Sequence, residues 1–343
     1  MAEQLSVAIL GAGQIAGGYD SGRSKSDTGI YSHAGAYRKD GRFLLKTICD
    51  TDPERAAAFR DNWSVAAAAT SPEEVIGSYH DVVSVCTPDR SHFGLLMSLI
   101  ERRACKTIFA EKPLALELDQ ISEVERLAAE QGINVVVNFQ RRFDPAHRDL
   151  RDALAADPGQ LLAGSALYIK GLEHIGVTMI DTLTFLCGPP REGYAFNRVF
   201  NRQVEGYSYE FVLFYDGFNI TVKTPDTDLG PYHYHIFEID LLLADRRVTV
   251  NDNSRQMVTR GIVDYAYSGV KVLNDQSPEQ TQTGYALSMV GAVDYLFRIT
   301  RGETGHSINT PAHSYLNKLI VDKIALSYQK NTKIQIGATQ WKK

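Results

Sequence analysis

Short, nearly continuous apolar runs alternate with segments of helical periodicity over the first 140 residues. The runs that predict strands cover residues 5–10, 43–49, 82–86, 107–110 and 134–137. Apolar positions at the spacing of an amphipathic helix occur between them, at residues 53–62, 91–103 and 118–131. Strands without polar alternation are buried on both faces, as in a parallel sheet with helical crossovers. This pattern predicts a doubly wound α/β domain over residues 1–140.

A different pattern begins near residue 160. After one helix-like stretch at residues 175–186, apolar and polar residues alternate at 191–200, 207–215, 218–223, 234–243 and 247–250. Short turns such as the one at Gly217 separate these segments, which indicates antiparallel strands. Two more helices are predicted at residues 285–300 and 311–328. We therefore expect an α+β domain over residues 141–343 with a largely antiparallel open sheet, used for substrate binding and oligomerisation.

Composition agrees with a two-domain globular chain. The 343 residues exceed one ordinary core, and 44% of them are apolar. The net charge of −5 offers no broad basic surface, so we expect no nucleic-acid partner. No apolar run approaches the roughly 20 residues of a membrane helix, and the N-terminus does not resemble a signal peptide. We expect no membrane association and a cytoplasmic location.

The cysteines provide no sign of a metal site. Cys49, Cys86, Cys105 and Cys187 are scattered without metal-ligand spacing. Cys49 and Cys86 lie in strand-like runs, where a small core residue is the ordinary interpretation. A reducing compartment suits such a chain, and we predict no bound metal.

The first predicted strand runs directly into a glycine-rich turn. Gly11, Gly13 and Ala16 occupy the three small-residue positions of the dinucleotide-binding fingerprint. We expect this turn to open a helix whose exposed amide groups face a diphosphate. The sequence therefore predicts a Rossmann domain, with turn contacts to the cofactor from Gly11, Gly13, Gln14, Ile15 and Ala16.

The end of the second predicted strand bears on the choice of cofactor. Asp50 stands there, where a carboxylate accepts hydrogen bonds from the adenosine ribose and repels a 2′-phosphate. No arginine immediately follows Asp50. We therefore predict NAD as the cofactor rather than NADP. In a second interpretation Asp50 caps the helix that begins near Pro53, and both roles are compatible.

A polar insertion separates the glycine turn from His33. Residues 19–27 stand where a usual Rossmann turn passes straight into its helix. We expect this insertion on the cofactor side of the domain, where Arg23 and Lys25 can meet a phosphate of the cofactor or substrate. The alternative is a solvated surface loop.

Three further motifs follow predicted strands. They are Cys86-Thr87-Pro88-Asp89-Arg90-Ser91-His92, Glu111-Lys112-Pro113 and Gln140-Arg141-Arg142-Phe143-Asp144-Pro145. Together with the glycine turn, in this order and spacing, they resemble the Gfo/Idh/MocA family of oxidoreductases over nearly the whole chain. Ligands of open α/β sheets bind outside the carboxyl ends of the strands, so Thr87, His92 and Lys112 are expected at the site.

The resemblance implies roles for these motifs. Lys112 would exchange a proton with the substrate hydroxyl, because burial beside a nicotinamide cation lowers a lysine pKa from its ordinary value of about 10.4. The bond before Pro113 is often cis in relatives. Further cofactor contacts are then expected from Thr87, Pro88, His92, Glu111, Lys112 and Arg141. Substrate contacts are expected from His92, Arg142 and Arg23.

The sequence departs from the family in the first helix of the second domain. Relatives usually have Asp-x-Gly-x-His-x-x-Asp, and here His174 replaces the first aspartate and Thr178 replaces the histidine, while Asp181 is kept. Residues four apart share one helix face, so we expect His174 to share the proton transfer with Lys112. Thr178 and Asp181 would bind the substrate. The alternative is a site that has lost its chemistry.

These observations lead to one favoured function and its alternatives. We predict NAD-dependent hydride transfer at a secondary alcohol of a nucleotide-linked sugar, for example at C3 of a UDP-linked N-acetyl sugar. The alternatives are a dehydrogenase of a free sugar or cyclitol, and a non-catalytic cofactor-binding regulator. The resemblance also implies a homodimer or homotetramer built through the open sheet face. His233 and His235 have the spacing of a metal pair, but a structural or interface role is favoured.

Overall fold

A computed structural model describes residues 4–22, 28–202, 204–226, 236–265, 267, 269–274, 276–304 and 308–337. The predictions made for Arg23, Lys25 and residues 232–235 lie outside these ranges. The chain divides into two compact units. The first contains residues 1–143 and 286–315, and the second contains residues 144–285 and 316–343.

The regular elements are numbered in chain order. The strands are β1 (Leu5–Leu10), β2 (Phe43–Cys49), β3 (Ala67–Ala69), β4 (His80–Val85), β5 (Cys105–Ala110), β6 (Asn134–Val137), β7 (Leu161–Tyr168), β8 (Glu192–Asn201), β9 (Gly206–Phe214), β10 (Asn219–Lys223), β11 (Phe237–Leu243), β12 (Arg246–Asn251), β13 (Gln256–Asp264), β14 (Lys271–Leu273), β15 (Glu279–Gln282) and β16 (Ile334–Gln335). The α-helices are α1 (His33–Asp40), α2 (Pro53–Trp63), α3 (Pro72–Ile76), α4 (Asp89–Glu101), α5 (Leu118–Gln131), α6 (Pro145–Ala156), α7 (Val177–Cys187), α8 (Ser288–Arg301) and α9 (Pro311–Lys330).

The first unit is built on a parallel sheet of six strands in the order β3-β2-β1-β4-β5-β6. This confirms the doubly wound Rossmann prediction. Strand β3 consists of three alanines, two of them exposed, and therefore lacks the apolar run that marks the others. The carboxyl ends of β1, β4 and β5 are neighbours in this order, so the segments that follow these strands lie along one edge of the sheet.

Helices cover both faces of this sheet. One core includes Tyr37 of α1 with Val293 and Leu296 of α8, while the opposite core includes Leu96 of α4 and Val124 of α5. The apolar stripe of α8 therefore belongs to the first unit, although the chain reaches it only after the second sheet. The predicted boundary, with residues 141–343 forming one contiguous second domain, differs from the structure for this reason.

The second unit contains a sheet of ten strands, with nine along the path β14-β13-β12-β11-β7-β10-β9-β8-β16 and β15 beside β13. Its pairs are antiparallel except for β7 with β10. The apolar sides of the central strands pack in a core with α7 and the later part of α9. This confirms the α+β prediction with a largely antiparallel sheet.

Two kinds of feature are absent from the described residues. None of the helices described is long and apolar enough to cross a membrane. Within the same residues, no group of three or more histidine, cysteine or acidic side chains is arranged to hold a metal ion.

Candidate active site

The glycine turn after β1 is shaped by its close approach to the loop after β4. Gly11 has a φ of +93°, and its N–H donates to the carbonyl of Cys49 at 2.7 Å. A Cβ atom at Gly11 would lie 2.6 Å from the Cys86 carbonyl oxygen, which is closer than real contacts allow. Both the backbone angle and the neighbouring strand therefore require glycine here.

Gly13 differs from Gly11 in what surrounds it. A Cβ atom at Gly13 would meet nothing within 4 Å, and the residue is exposed. This open space is what the fingerprint needs where the backbone approaches a pyrophosphate. Ala16 is fully buried, as its packing role requires, while Gln14 is exposed and Ile15 is half-buried. The residues of this turn therefore fit a dinucleotide.

The helix expected directly after this turn is interrupted. Only a first turn forms, in which the Gly17 N–H donates to the Gly13 carbonyl at 3.2 Å. The chain then leaves the helix, and we call residues 17–32 the excursion; the structure describes residues 17–22 and 28–32 of it. It returns with the His33 N–H donating to Ile15 O at 3.0 Å and the Ala34 N–H to Ala16 O at 2.8 Å. Helix α1 thus continues the hydrogen-bond pattern of the first turn. An uninterrupted helix would need two residues between Ala16 and the residue that bonds to Ile15 O, and this chain has sixteen there.

The base of the excursion is held by polar contacts. The Asp20 carboxylate accepts hydrogen bonds from the backbone N–H of Tyr31 and from both the N–H and the hydroxyl of Ser32. Ser32 in turn caps α1 by accepting from the Gly35 N–H at 3.2 Å. The Ile30 N–H donates to the Ala286 carbonyl at 2.7 Å. These contacts fix the point at which α1 begins.

Asp50 lies beside the glycine turn. Its Oδ2 accepts from the Ala12 N–H at 2.9 Å, and its Oδ1 lies 3.1 Å from an Arg55 guanidinium nitrogen. Asp52, rather than Asp50, caps α2 by accepting from the N–H groups of Glu54 and Arg55. The capping interpretation of Asp50 is therefore wrong. Arg55 was missed because it follows Asp50 by five residues and reaches back only through the first helical turn.

Replacing Asp50 with serine is expected to shift cofactor preference toward NADP by about tenfold or more. The substitution removes the charge that repels a 2′-phosphate and releases Arg55, which is 60% exposed, to pair with that phosphate. A hydrogen bond to a charged group contributes about 1.5–3 kcal/mol, which corresponds to this range. Dissociation constants for both cofactors, measured by calorimetry, give the ratio.

Asp52→Ser is the matched control for this experiment. Asp52 also pairs with Arg55, at 3.2 Å, and serine caps helices about as well as aspartate. This variant should keep the NAD preference. The double variant Asp50→Ser/Arg55→Met should lose the gain in NADP affinity. An unchanged preference in Asp50→Ser would contradict the role given to the carboxylate.

His92 connects the loops that follow β4 and β5. Its ring is fully buried, with Nδ1 2.7 Å from the Pro113 carbonyl and Nε2 2.8 Å from the Thr87 carbonyl. Both ring nitrogens therefore lie against backbone carbonyl oxygens in the interior of the first unit. The predicted direct contacts of His92 with cofactor and substrate are therefore replaced by a positioning role. Thr87 and Pro88 remain accessible at the start of α4.

Lys112 stands two residues beyond the end of β5. The Lys112–Pro113 peptide bond is cis, as predicted. Burial lowers the pKa of Lys112, and the negative charges of Glu111 and Asp89 act in the opposite direction. An amine with a lowered pKa loses its proton nearer to neutral pH, which suits an acid–base group.

Glu111 faces into the first unit rather than toward solvent. Its Oε1 receives hydrogen bonds from His33 Nε2 at 3.0 Å and Asn138 Nδ2 at 2.6 Å. Burial acts to raise the pKa of Glu111, but the contacts with His33 and Asn138 and the charge of Lys112 outweigh it and lower the pKa. The predicted direct contact of Glu111 with the cofactor is thus replaced by support of the lysine. No local motif identifies His33, which lies 78 residues away.

Arg141 and Arg142 lie in a short 3₁₀ helix, Gln140–Phe143, and both are buried. An Arg142 guanidinium nitrogen lies 3.4 Å from the Ile308 carbonyl. Burial and the nearby charge of Arg142 lower the pKa of His313 to about 3. The structure therefore gives Arg142 an internal role in the first unit, which does not support the predicted substrate contact. The cofactor contact of Arg141 stays a prediction.

In the second unit, His174 lies on a π-helix. This helix spans Gly171–Gly176, follows Lys170 in the left-handed region, and is anchored by the Gly171 N–H donating to Ser208 Oγ at 2.9 Å. His174 is exposed and Thr178, in α7, is half-buried. The argument that residues four apart share an α-helix face therefore fails here, because a π-turn has a different spacing. π-Turns are frequent at functional sites.

Asp181 lies in the interior of the second unit. It is 1% exposed, and its Oδ1 accepts from Asn317 Nδ2 at 2.8 Å. The predicted substrate contact is therefore replaced by a structural contact between α7 and α9. Asp181 therefore has a structural role. A motif match alone cannot distinguish an aspartate with this role from one that binds the substrate.

Comparison with known proteins finds relatives of the first unit. Residues 5–139 match the family model GFO_IDH_MocA, described as an oxidoreductase family with an NAD-binding Rossmann fold. A scyllo-inositol 2-dehydrogenase (NAD(+)) of Bacillus subtilis is 30% identical over 177 residues, which cover 51% of this chain and 46% of that protein. The chain therefore spans less than half the length of this curated relative.

Solved structures extend the likeness in fold over the whole chain. Levoglucosan dehydrogenase, in complex with NADH and levoglucosan, superposes with a TM-score of 0.78 at 17% identity over 98% of this chain and 100% of that one. The super-repressor mutant of Gal80p from Saccharomyces cerevisiae has a TM-score of 0.74 at 13% identity, covering 99% and 100%. Residues 5–139 of this chain are therefore similar to the NAD-binding Rossmann domain of the Gfo/Idh/MocA oxidoreductases.

Proposed function

We propose that the protein is an NAD-dependent dehydrogenase that acts on a secondary alcohol of a free sugar or cyclitol. The observation that carries the proposal is Lys112, an amine whose pKa is lowered by burial, at the carboxyl end of β5 in an NAD-binding unit. Ligands of such sheets bind at this edge. The family match supplies the reaction class.

The residues of the first unit have distinct tasks in this function. Gly11, Gly13 and Asp50 would hold the diphosphate and the adenosine ribose. When bound, NAD supplies the hydride acceptor. Lys112 Nζ takes the proton from the substrate hydroxyl during oxidation and returns it during reduction. We propose that His174 contributes to the same proton transfer and that Thr178 orients a hydroxyl of the substrate.

A free polyol is favoured over a nucleotide-linked sugar. The prediction of a nucleotide sugar rests on the family resemblance and on the polar insertion at residues 19–27, part of which lies outside the described residues. The curated relative acts on scyllo-inositol, and the levoglucosan dehydrogenase structure contains levoglucosan. Both are small, uncharged ring polyols, so we propose the same substrate class here.

The proposal is tested by following the absorbance of reduced cofactor with NAD and a panel of substrates. We expect turnover with inositols, levoglucosan or free hexoses, and at least about tenfold lower kcat/KM with UDP-linked sugars. A reversed preference would restore the nucleotide-sugar prediction. NAD binding without turnover across the panel, in either direction of reaction, would overturn the proposed enzyme.

The alternative in that event is a cofactor-binding regulator. The observation that favours it is the replacement of the usual acid and histidine by His174 and Thr178, with His174 on a π-helix. The Gal80p likeness shows only that the fold is shared. The predicted cytoplasmic location and the homodimer or homotetramer stay predictions.

A further inference from the structure

A buried chain of polar side chains lies behind Lys112, and we call it the His33 network. Its members are Tyr37, Ser84, His33, Glu111 and Asn138. His33, Tyr37 and Ser84 are fully buried, and the side chain of Glu111 is 12% exposed. Buried polar groups are stable only when they are hydrogen-bonded, so such a network has a defined arrangement.

The hydrogen bonds of the network can be assigned a single direction. His33 Nε2 contacts Glu111 Oε1 at 3.0 Å, and a carboxylate only accepts, so Nε2 carries a proton. In the neutral ring His33 Nδ1 then accepts from the Ser84 hydroxyl at 3.1 Å. Ser84 Oγ in turn accepts from the Tyr37 hydroxyl at 2.8 Å. Each proton has one acceptor, and the series of hydrogen bonds ends at the Glu111 carboxylate.

Glu111 is held from two sides at the same oxygen. Asn138 donates to Oε1 at 2.6 Å in addition to His33, while Oε2 lies 3.4 Å from the backbone nitrogen of Lys112. A carboxylate fixed in this way is a permanent negative charge next to the lysine. We propose that His33 is a positioning residue for Lys112, which acts by holding Glu111 beside it as an anion in one orientation. This inference rests on the proposed role of Lys112.

The position of His33 is set independently of Glu111. Its N–H continues the first helical turn by donating to the Ile15 carbonyl at 3.0 Å. Ser32, which caps α1, is held by Asp20 at the base of the excursion. The His33 ring also packs against Phe109, with ring centroids 4.5 Å apart. The ring is thus fixed by the backbone on one side and by β5 on the other.

The direction of the effect follows from the charges around the two groups. Among the described residues, the negative charges that raise the pKa of Lys112 are those of Glu111 and Asp89. The nearby His92 ring contacts the Pro113 carbonyl. His33 is the largest influence that lowers the pKa of Glu111. Loss of His33 removes one of the two contacts that fix the Glu111 carboxylate, so its negative charge is no longer held in one place beside Lys112 and stabilises the ammonium form less. The pKa of Lys112 should then fall further.

The first test needs no substrate. The rate at which Lys112 reacts with acetic anhydride is measured against pH by mass spectrometry in wild type, His33→Leu and His33→Gln. We expect the midpoint in His33→Leu to move down by roughly one pH unit, the scale of one buried charge interaction. Glutamine keeps an N–H donor for Glu111, so the Lys112 midpoint in His33→Gln should lie close to the wild-type value.

His80→Leu is the matched control. His80 is another buried histidine of the first unit, and neither of its ring nitrogens has a hydrogen-bond partner in the part of the chain that the structure describes. It stands at the start of β4, at the opposite end of the strand from Cys86. Its replacement should leave the Lys112 midpoint at the wild-type value.

Turnover provides the second readout. With the best substrate of the panel, His33→Leu should lower kcat about tenfold, leave KM for NAD within about twofold, and move the acid limb of the oxidation pH profile downward. Absence of turnover in wild type, with the Lys112 midpoint still shifted in His33→Leu, would reject the proposed function and keep this inference.

A folded His33→Leu protein with a wild-type Lys112 midpoint would overturn the inference. If His33→Leu does not fold, Glu111→Gln takes its place, because it removes the same charge while keeping the shape of the side chain. The midpoint should again move down, and an unchanged midpoint in Glu111→Gln would overturn the inference equally. Where His33→Leu folds, the double variant His33→Leu/Glu111→Gln should shift the midpoint no further than the larger single change, since both changes act through one carboxylate.

Discussion

Lys112→Met is expected to reduce turnover by about a thousandfold or more while NAD still binds. A positioned acid–base group contributes about 10²–10⁴ in rate, and methionine keeps the length of the side chain without a proton to exchange. The lysine lies beyond the end of β5, so the sheet itself should be unaffected. Cofactor absorbance measures turnover, and calorimetry measures NAD affinity in the same preparations.

Lys106→Met provides the control, because Lys106 is an exposed lysine on β5, the strand that precedes Lys112. It should leave both turnover and NAD affinity unchanged. His174→Asn tests the second proposed proton carrier, and we expect a loss of about tenfold to a hundredfold. If Lys112→Met retained more than about a tenth of wild-type turnover, the assigned role of Lys112 would be wrong.

The two glycines of the fingerprint should respond differently to alanine. Gly11→Ala should destabilise the protein by about 3 kcal/mol or more, because its φ of +93° and the Cys86 carbonyl both exclude a side chain. Gly13→Ala should leave the melting temperature of the free protein nearly unchanged, because nothing lies within 4 Å of the added carbon. The methyl group instead enters the space reserved for the pyrophosphate, and NAD affinity should fall by about a hundredfold.

Thermal unfolding with and without NAD separates these two effects. Ligand binding raises stability in proportion to the logarithm of its concentration over Kd, so Gly13→Ala should lose most of the NAD-induced increase. Gly41→Ala distinguishes backbone strain from cofactor effects, since Gly41 also has a positive φ but ends α1 in open space. It should lower stability by less than Gly11→Ala and keep NAD affinity. Equal NAD affinity in Gly13→Ala and wild type would contradict the placement of the diphosphate.

Local sequence patterns predicted most of the parallel sheet. The bounds of β1, β2 and β6 were predicted to the residue, because each strand is an apolar run with a sharp polar or glycine end. Helix α5 was equally clear, since Gly132 ends it in the left-handed region. Strand β7 was missed because its centre, with Ala163, Gly164 and Ser165, has too little apolar character for a strand signal.

Contacts between distant segments explain what the sequence could not predict. Helix α8 packs in the first unit through its apolar stripe, but the last strand of that sheet, β6, ends about 150 residues before α8 begins. No local pattern links the two. The hydrogen bond from His33 to Glu111 joins residues 78 positions apart, and neither position implies the other. At His174 the residue types were identified, but the π-turn changes their spacing, which an assumed α-helix cannot foresee.

The interrupted first helix makes the Rossmann unit tolerant of foreign sequence at one point. Because backbone bonds from His33 and Ala34 restore the register, the length of chain between the two halves does not alter the fingerprint. The entropic free-energy cost of closing such a loop grows slowly, by about 0.6 kcal/mol for each doubling of its length. We therefore expect segments of other sizes to be accepted between Asp20 and Ser32, within a few residues of the diphosphate site, while the strands beneath keep their register.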